Sequence, residues 1–198
     1  MAAEEKRVVL DTDFINTITK YQTGDSKDFF HRIFCTLGVQ PVVHPYIAEY
    51  ELENNKIAQE LIAAGDIIVI PYDAFLPPAG TRRTFYVKSF HDLHRIIQES
   101  YVPQRDKPEM FPLRPDEDIF ARQAGRSFGE IHSILMAVEL EIPVLFSDDK
   151  GAKTAATRYA VDRLIVQSAI EVADLLQDQP EITGSERRYL RKCYEHRK

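Results

Sequence analysis

Cysteine is scarce in this chain. Its two thiols, Cys35 and Cys193, lie far apart and share no metal-binding or redox spacing. A disulfide framework is therefore excluded as an organising principle, and the pair suits buried or incidental thiols in a reducing cytosol. Long apolar runs are missing as well. No segment approaches the roughly 18 residues that span a bilayer, so no membrane partner is expected. The opening Met-Ala-Ala-Glu-Glu-Lys-Arg has none of the apolar stretch of a secretory signal, and a cytoplasmic location is expected. Positive charge is not in excess either. A net charge of −6 argues against a general polyanion binder. There is no internal repeat and no low-complexity segment.

What is present is a core. Of 198 residues, 44% are hydrophobic, enough for one domain with a sizeable interior. Charge is unevenly spread: residues 185–198 carry a local balance of +4, which leaves −10 on the rest. Such a tail is compatible with nucleic acid, or with a solvated helix whose cations favour its own dipole. Apolar strands alternate with helical patterns, the signature of an α/β fold with a mostly parallel sheet. A first strand is expected at Arg7–Leu10, with helices near 14–21 and 26–37. A helical stretch should run from Pro45 to the terminating Gly65, followed by a buried strand at Ile67–Ile70. Residues 71–115 hold seven of the eleven prolines and read as a loop-rich insert, extending to about 126 and carrying one helix near Val87–Tyr101. Regular structure should resume with a helix at Ser127–Leu140 and a strand at Ile142–Phe146. A helix at Lys150–Tyr159, a strand at Leu164–Val166 and a helix at Ser168–Gln177 with a Ser-x-x-Glu capping box complete the pattern.

The chemistry-bearing residues sit where strands end. Val8-Val9-Leu10 runs into Asp11-Thr12-Asp13, and Val144-Leu145-Phe146 into Ser147-Asp148-Asp149. In an open parallel sheet, ligands bind outside the carboxyl ends of strands, so acids placed there point toward a site. Asp13 lies nearer the helix start and is the better cap, which leaves Asp11 without a structural task. Glu49 stands in the first turns after His44-Pro45. Glu130 fits a capping box with Ser127, and taken alone capping is the better reading of it. One of Asp148 and Asp149 suffices to cap the next helix. Taken together, these acids would repel one another strongly unless a cation relieved them. Their oxygen-only chemistry matches Mg²⁺ or Mn²⁺.

Four motifs occur in order: Val9-Leu10-Asp11-Thr12-Asp13, Pro45-Tyr46-Ile47-Ala48-Glu49, Gly129-Glu130-Ile131 with Ala137, and Leu145-Phe146-Ser147-Asp148-Asp149-Lys150 with Ala155-Ala156. The set resembles the PIN-domain family over about residues 6–70 and 127–170. That resemblance implies a Rossmann-like three-layer α/β/α sandwich with a mostly parallel sheet, interrupted by the insert near 71–126 within a single domain, and a Mg²⁺- or Mn²⁺-dependent nuclease, with RNA as the expected substrate. It puts the four catalytic and metal-binding acids on Asp11, Glu49, Glu130 and Asp149, with Asp148 as a neighbouring ligand. Thr12 and Ser147 fall on hydroxyl positions that order the site. A cognate protein inhibitor and a homodimer are partners the family commonly has.

Substrate cations are sought outside the acidic cluster: Arg82, Arg83 and Lys88 in the insert, Arg122 and Arg126 ahead of the third acid, and Arg187, Arg188, Arg191 and Lys192 in the tail. Phe85, Tyr86, Tyr189 and Tyr194 lie among them and offer rings for stacking on unpaired bases. Two alternatives stay open. One is a PIN-like protein that binds RNA or a partner without cutting. The other is a phosphatase of the haloacid-dehalogenase type, which Val8–Ile15 also resembles, with Asp11 as nucleophile and Asp13 as acid–base. Ile15 departs from that box, and Lys150 follows the late acid pair where that family places a lysine before it.

Overall fold

A computed structural model describes residues 6–100, 113–114, 116–123 and 127–195. Five parallel strands form one sheet: β1 (Arg7–Leu10), β2 (Gln40–Val43), β3 (Ile68–Val69), β4 (Val144–Phe146) and β5 (Ile165–Gln167). Their order across the sheet is β3-β2-β1-β4-β5. Val9 pairs with Val42 on one side and Leu145 on the other, so β1 is the central strand.

Alternation of side chains along these strands builds the layers. Val9, Val42, Leu145 and Val166 enter one core, against α5 (Thr81–Ser100), α6 (Phe128–Glu139) and α7 (Lys150–Tyr159). Val8, Leu10, Val43 and Phe146 enter the other, against α1 (Thr12–Thr19), α2 (Ser26–Leu37), α3 (Lys56–Ala64), α8 (Ala169–Leu175) and α9 (Gly184–Glu195). The architecture is compatible with a three-layer α/β/α sandwich. Each fully buried Val, Leu, Ile or Phe contributes roughly 1.5–3 kcal/mol by leaving water. Among the described residues no helix is long and apolar enough to cross a membrane.

Four local expectations are corrected. Residues 40–43 form an inner strand that the sequence hides, because Pro41 cannot donate to a ladder and argues against a central strand. The helical stretch after Pro45 is broken. A single π-helical turn at Ile47–Glu51, closed by Leu52 N–H to Ile47 O at 2.9 Å, precedes α3, which Asn55 caps by accepting from Ala58 N–H at 3.0 Å. The insert is less loop-rich than its prolines suggest. It begins with α4 (Tyr72–Phe75), and α5 starts six residues earlier than expected, burying Tyr86, Phe90, Leu93 and Ile97 in the main core. Finally, Ser127 does not cap α6. It is left-handed (φ 54°) and its side chain makes no cap bond. The capping box expected at Ser168 does form, with both Ser168 N–H and Oγ donating to Glu171 at 2.8 Å.

A buried polar chain ties the insert to this frame. Tyr46 N–H donates to His44 Nδ1 at 3.0 Å, which leaves the His44 Nε2 hydrogen facing Tyr86 Oη at 3.4 Å. Tyr86 Oη–H reaches His132 Nδ1 at 2.8 Å, and His132 Nε2–H donates to Ile119 O at 2.9 Å. These proton positions follow from the partners each ring nitrogen has. Burial, with the second imidazole adding to it, holds His44 well below the usual range, and burial lowers His132 to about 3.

Candidate active site

The order of the strands determines where a ligand can sit. β2 and β4 flank β1 with their connections leaving to opposite sides, so a crevice opens outside the carboxyl ends of β1 and β4. The chain continues from those two ends into Asp11 and Ser147-Asp148-Asp149.

Asp11 is buried, and its N–H donates to Phe146 O at 3.0 Å, extending the ladder one residue past the strand. Its Oδ1 accepts from Thr12 N–H at 2.8 Å and its Oδ2 from Ser147 Oγ–H at 2.7 Å. Asp11 is therefore itself the cap of α1, the task the sequence assigns to Asp13. Ser147 Oγ also accepts from Asp149 N–H at 3.1 Å, so one hydroxyl links the acids that follow β1 and β4. Asp149 caps α7 through Ala152 N–H at 2.9 Å. Asp148 turns to the other layer, accepting from Ala169 N–H at 2.7 Å and from Thr17 Oγ1 at 3.3 Å. It fastens α8 to α1.

The third segment to enter the crevice is the π turn, and it supplies Glu51 rather than Glu49. Glu51 accepts from Thr12 Oγ1–H and from Gly129 N–H. A Cβ on residue 129 would collide with this carboxylate, so glycine makes the approach possible. Glu49 is exposed and stands beside Tyr72, whose phenol is pushed up by burial first and by Glu49 second. Spacing along an α-helix could not reveal this exchange. A turn closed by i→i+5 bonds is wider and rotates the residues that follow. The available signal was Gly129 itself, a helix-breaking residue in the first turn of α6 next to an acid.

Glu130 completes the group from α6. With Ser127 absent as a cap, the only hydrogen bond Glu130 makes among the described residues is to its own N–H. Asp11, Glu51 and Glu130 are all raised above the ordinary carboxylate range, in each case chiefly by burial. The Ser147 hydroxyl opposes this shift at Asp11, while Glu51, Asp13 and Asp149 add to it. Thr12 and Gly129 oppose it at Glu51. Asp11, Asp149 and Glu51 add to it at Glu130. Among the described residues no three His, Cys, Asp or Glu side chains stand close enough to hold a metal ion directly. The donor set still fits a hard cation. It is all oxygen, it is strained by its own charge, and Mg²⁺ keeps several waters while using one or two carboxylates.

The candidate substrate cations divide. Arg82 pairs with Glu139 and Arg122 with Glu53. Arg187 donates to the carbonyls of Leu176, Gln179 and Ile182 and so closes the end of α8, and Arg191 pairs with Asp174. Arg188 and Lys192 are exposed, as is Lys88. Arg83 lies over the Phe120 ring at 4.7 Å, and Arg126 lies outside the described residues. Of the rings, Phe85 is exposed, Tyr86 is buried in the histidine chain, and Tyr189 donates to Thr17 O at 2.8 Å. The chain matches no protein-family model, no curated protein and no solved structure.

Proposed function

We propose that the protein is a Mg²⁺- or Mn²⁺-dependent nuclease that hydrolyses phosphodiester bonds, with RNA as substrate. One observation carries the reading: Asp11, Glu51, Glu130 and Asp149 come from four separate segments to one crevice at the centre of the sheet, where burial first and neighbouring carboxylates second raise Asp11, Glu51 and Glu130 above the ordinary carboxylate range. The resemblance to PIN-domain nucleases supports the same conclusion, with Glu51 taking the place the sequence suggested for Glu49. A divalent ion held there would lower the pKa of a bound water and neutralise charge developing on the phosphate.

The residues divide the work by their hydrogen bonds. Ser147 and Thr12 each donate to one carboxylate and so orient Asp11 and Glu51 toward the crevice. Asp11 and Asp149, linked through Ser147 Oγ, form the rigid side of the cation site. Among the described residues Glu130 has no hydrogen-bond partner beyond its own N–H, and it has a raised affinity for protons, which suits it to orient the attacking water and accept its proton.

Calorimetric titration of Mn²⁺ and Mg²⁺ into the parent and Asp11→Asn, with cleavage of a fluorescent single-stranded RNA on the same samples, tests the reading. Binding and cleavage in the parent, both lost in the variant, are expected. Metal binding without cleavage of RNA would favour a PIN-like binding protein, or a phosphatase if a small phosphomonoester is hydrolysed instead. Absence of metal binding would sink the proposal.

A further inference from the structure

Among the described residues, Arg83 is the one candidate substrate cation stacked over an aromatic ring without an ion pair. Its guanidinium covers the Phe120 ring, and among the described residues it forms no ion pair. It lines a cavity of about 470 Å³ together with Tyr72, Leu76 and Phe120, and the carboxylates of Asp73 and Asp118 line it as well. The Tyr72 and Phe120 rings meet at 86°, with centroids 5.7 Å apart, so the cavity has two flat walls at right angles. Asp118 spends one oxygen on Phe120 N–H at 2.9 Å. Asp73 is exposed at the start of α4 and engaged in no hydrogen bond among the described residues.

This combination selects its ligand by chemistry. Two carboxylates disfavour a phosphate inside the cavity. They accept hydrogen bonds from a group that presents N–H donors along an edge. The aromatic rings and the guanidinium plane take a flat, delocalised face, and stacking of that kind is worth about 1–3 kcal/mol per base. The volume lies within the range of small-ligand pockets. Guanine is the base that offers adjacent N1–H and N2–H₂ donors to a carboxylate, whereas adenine and uracil offer no such pair.

We infer that this cavity binds an unpaired guanine base, stacked against Arg83 and Tyr72 and read along its N1–N2 edge by Asp118 and Asp73. The location gives it a use that rests on the nuclease reading. Tyr72 follows Pro71 at the carboxyl end of β3, on the same end of the sheet as Asp11. Two strand spacings, about 10 Å, separate those ends. A guanine held there would bring a neighbouring phosphodiester to the carboxylates, and cleavage would then be guanine-dependent.

Binding of GMP, IMP, AMP and UMP to the metal-free full chain, followed by calorimetry, tests the assignment apart from catalysis. GMP is expected to bind about tenfold more tightly than AMP or UMP, and IMP, which lacks the N2 amine, to fall between them. Arg83→Met and Asp118→Asn, checked for unchanged thermal unfolding, should each weaken GMP about tenfold. Asp11→Asn should bind GMP as the parent does. Equal affinity for all four nucleotides, no saturable binding of any, or undiminished binding by Arg83→Met would overturn the inference. So would loss of GMP binding in Asp11→Asn, since it would put the nucleotide in the acid cluster. GMP binding in a chain that cleaves nothing would leave the cavity assigned and the nuclease reading refuted.

Discussion

Glu186 offers a test of what the basic tail is for. It is nearly buried, at 3% exposure, and gathers bonds from two directions. Arg32 of α2 donates to its carboxylate from both terminal nitrogens, at 3.0 and 2.5 Å. Thr183 donates from its N–H and its hydroxyl, both at 2.8 Å, and Glu186 N–H returns a bond to Thr183 Oγ1 at 3.3 Å. The result is a capping box at the head of α9 that is also clamped to α2. The Arg32 guanidinium, more than any other neighbour, holds this carboxyl at about 2 against an ordinary value of 4.5. A displacement of that size corresponds to about 3 kcal/mol of stability at neutral pH. Since Arg32 is 30% exposed, solvent screening reduces the figure to about 2 kcal/mol. Glu186→Gln retains an acceptor for Thr183 but loses the charge. Urea unfolding followed by circular dichroism should show it about 2 kcal/mol less stable at pH 7, with a melting temperature about 4–8 °C lower. The contribution is present above 4.5 and is lost as pH falls through 2. The gap between variant and parent should therefore shrink to about half at pH 3 and close below pH 2. A gap that does not change with pH, or one absent at pH 7, would refute the argument. RNA cleavage by the variant below its melting temperature should match the parent, because α9 is held here for structure.

Three other outcomes follow from the site and the core. Gly129→Ala should fold with little loss, since only the end of the flexible Glu51 side chain must move; calorimetry should nevertheless show Mn²⁺ affinity reduced about tenfold as Glu51 leaves its place. Asp11→Asn should stabilise the metal-free protein by about 1–2 kcal/mol at pH 7, because the Ser147 hydroxyl can turn to accept from the new amide while a buried charge is removed. That gain should fade as pH falls toward 3.8 and vanish below it, where the parent's Asp11 is protonated both folded and unfolded, and denaturation at pH 7 and pH 3 measures it. His132 should stay neutral in the folded state down to about pH 3, so between pH 6.5 and pH 3 the unfolded chain alone takes its proton and the fold loses about 1.4 kcal/mol per pH unit at this residue. An NMR titration of its ring giving a midpoint near 6.5 would contradict the buried chain.

How much of this was legible in the residues varies by element. The strands at β1 and β4 could be read because β-branched and apolar runs stop abruptly at acids, and α7 because its Asp cap and alanine spacing are local signals. β2 could not, since four residues containing a proline carry less weight than the ladder partners that surround them. Helix α5 is amphipathic, but its first turns, Thr81 to Thr84, are polar and resemble loop until Tyr86 and Phe90 are seen to fill the core. Within the candidate cluster, Asp11, Glu130 and Asp149 could be singled out from the residues, where strand ends and a glycine mark them. It was not legible at Glu51, because a π turn changes rotation without changing composition. The further bonds of Asp11 and Asp148 likewise depend on partners brought in from elsewhere: Ser147, which donates to Asp11, comes from the other half of the chain, and Ala169 lies 21 residues beyond Asp148.

The strand order has a consequence for how the molecule comes into being. β1 is synthesised before β4, and one of its two edges is completed only when β4 arrives, more than 130 residues later. Until then Val8-Val9-Leu10 offers an open ladder edge to any other extended chain, a known route to aggregation. The same delay keeps the acids apart during synthesis, for Asp149 cannot join Asp11 until β4 has inserted. A half-made chain therefore has no assembled cluster, and an activity that requires one switches on only when the sheet closes at its centre.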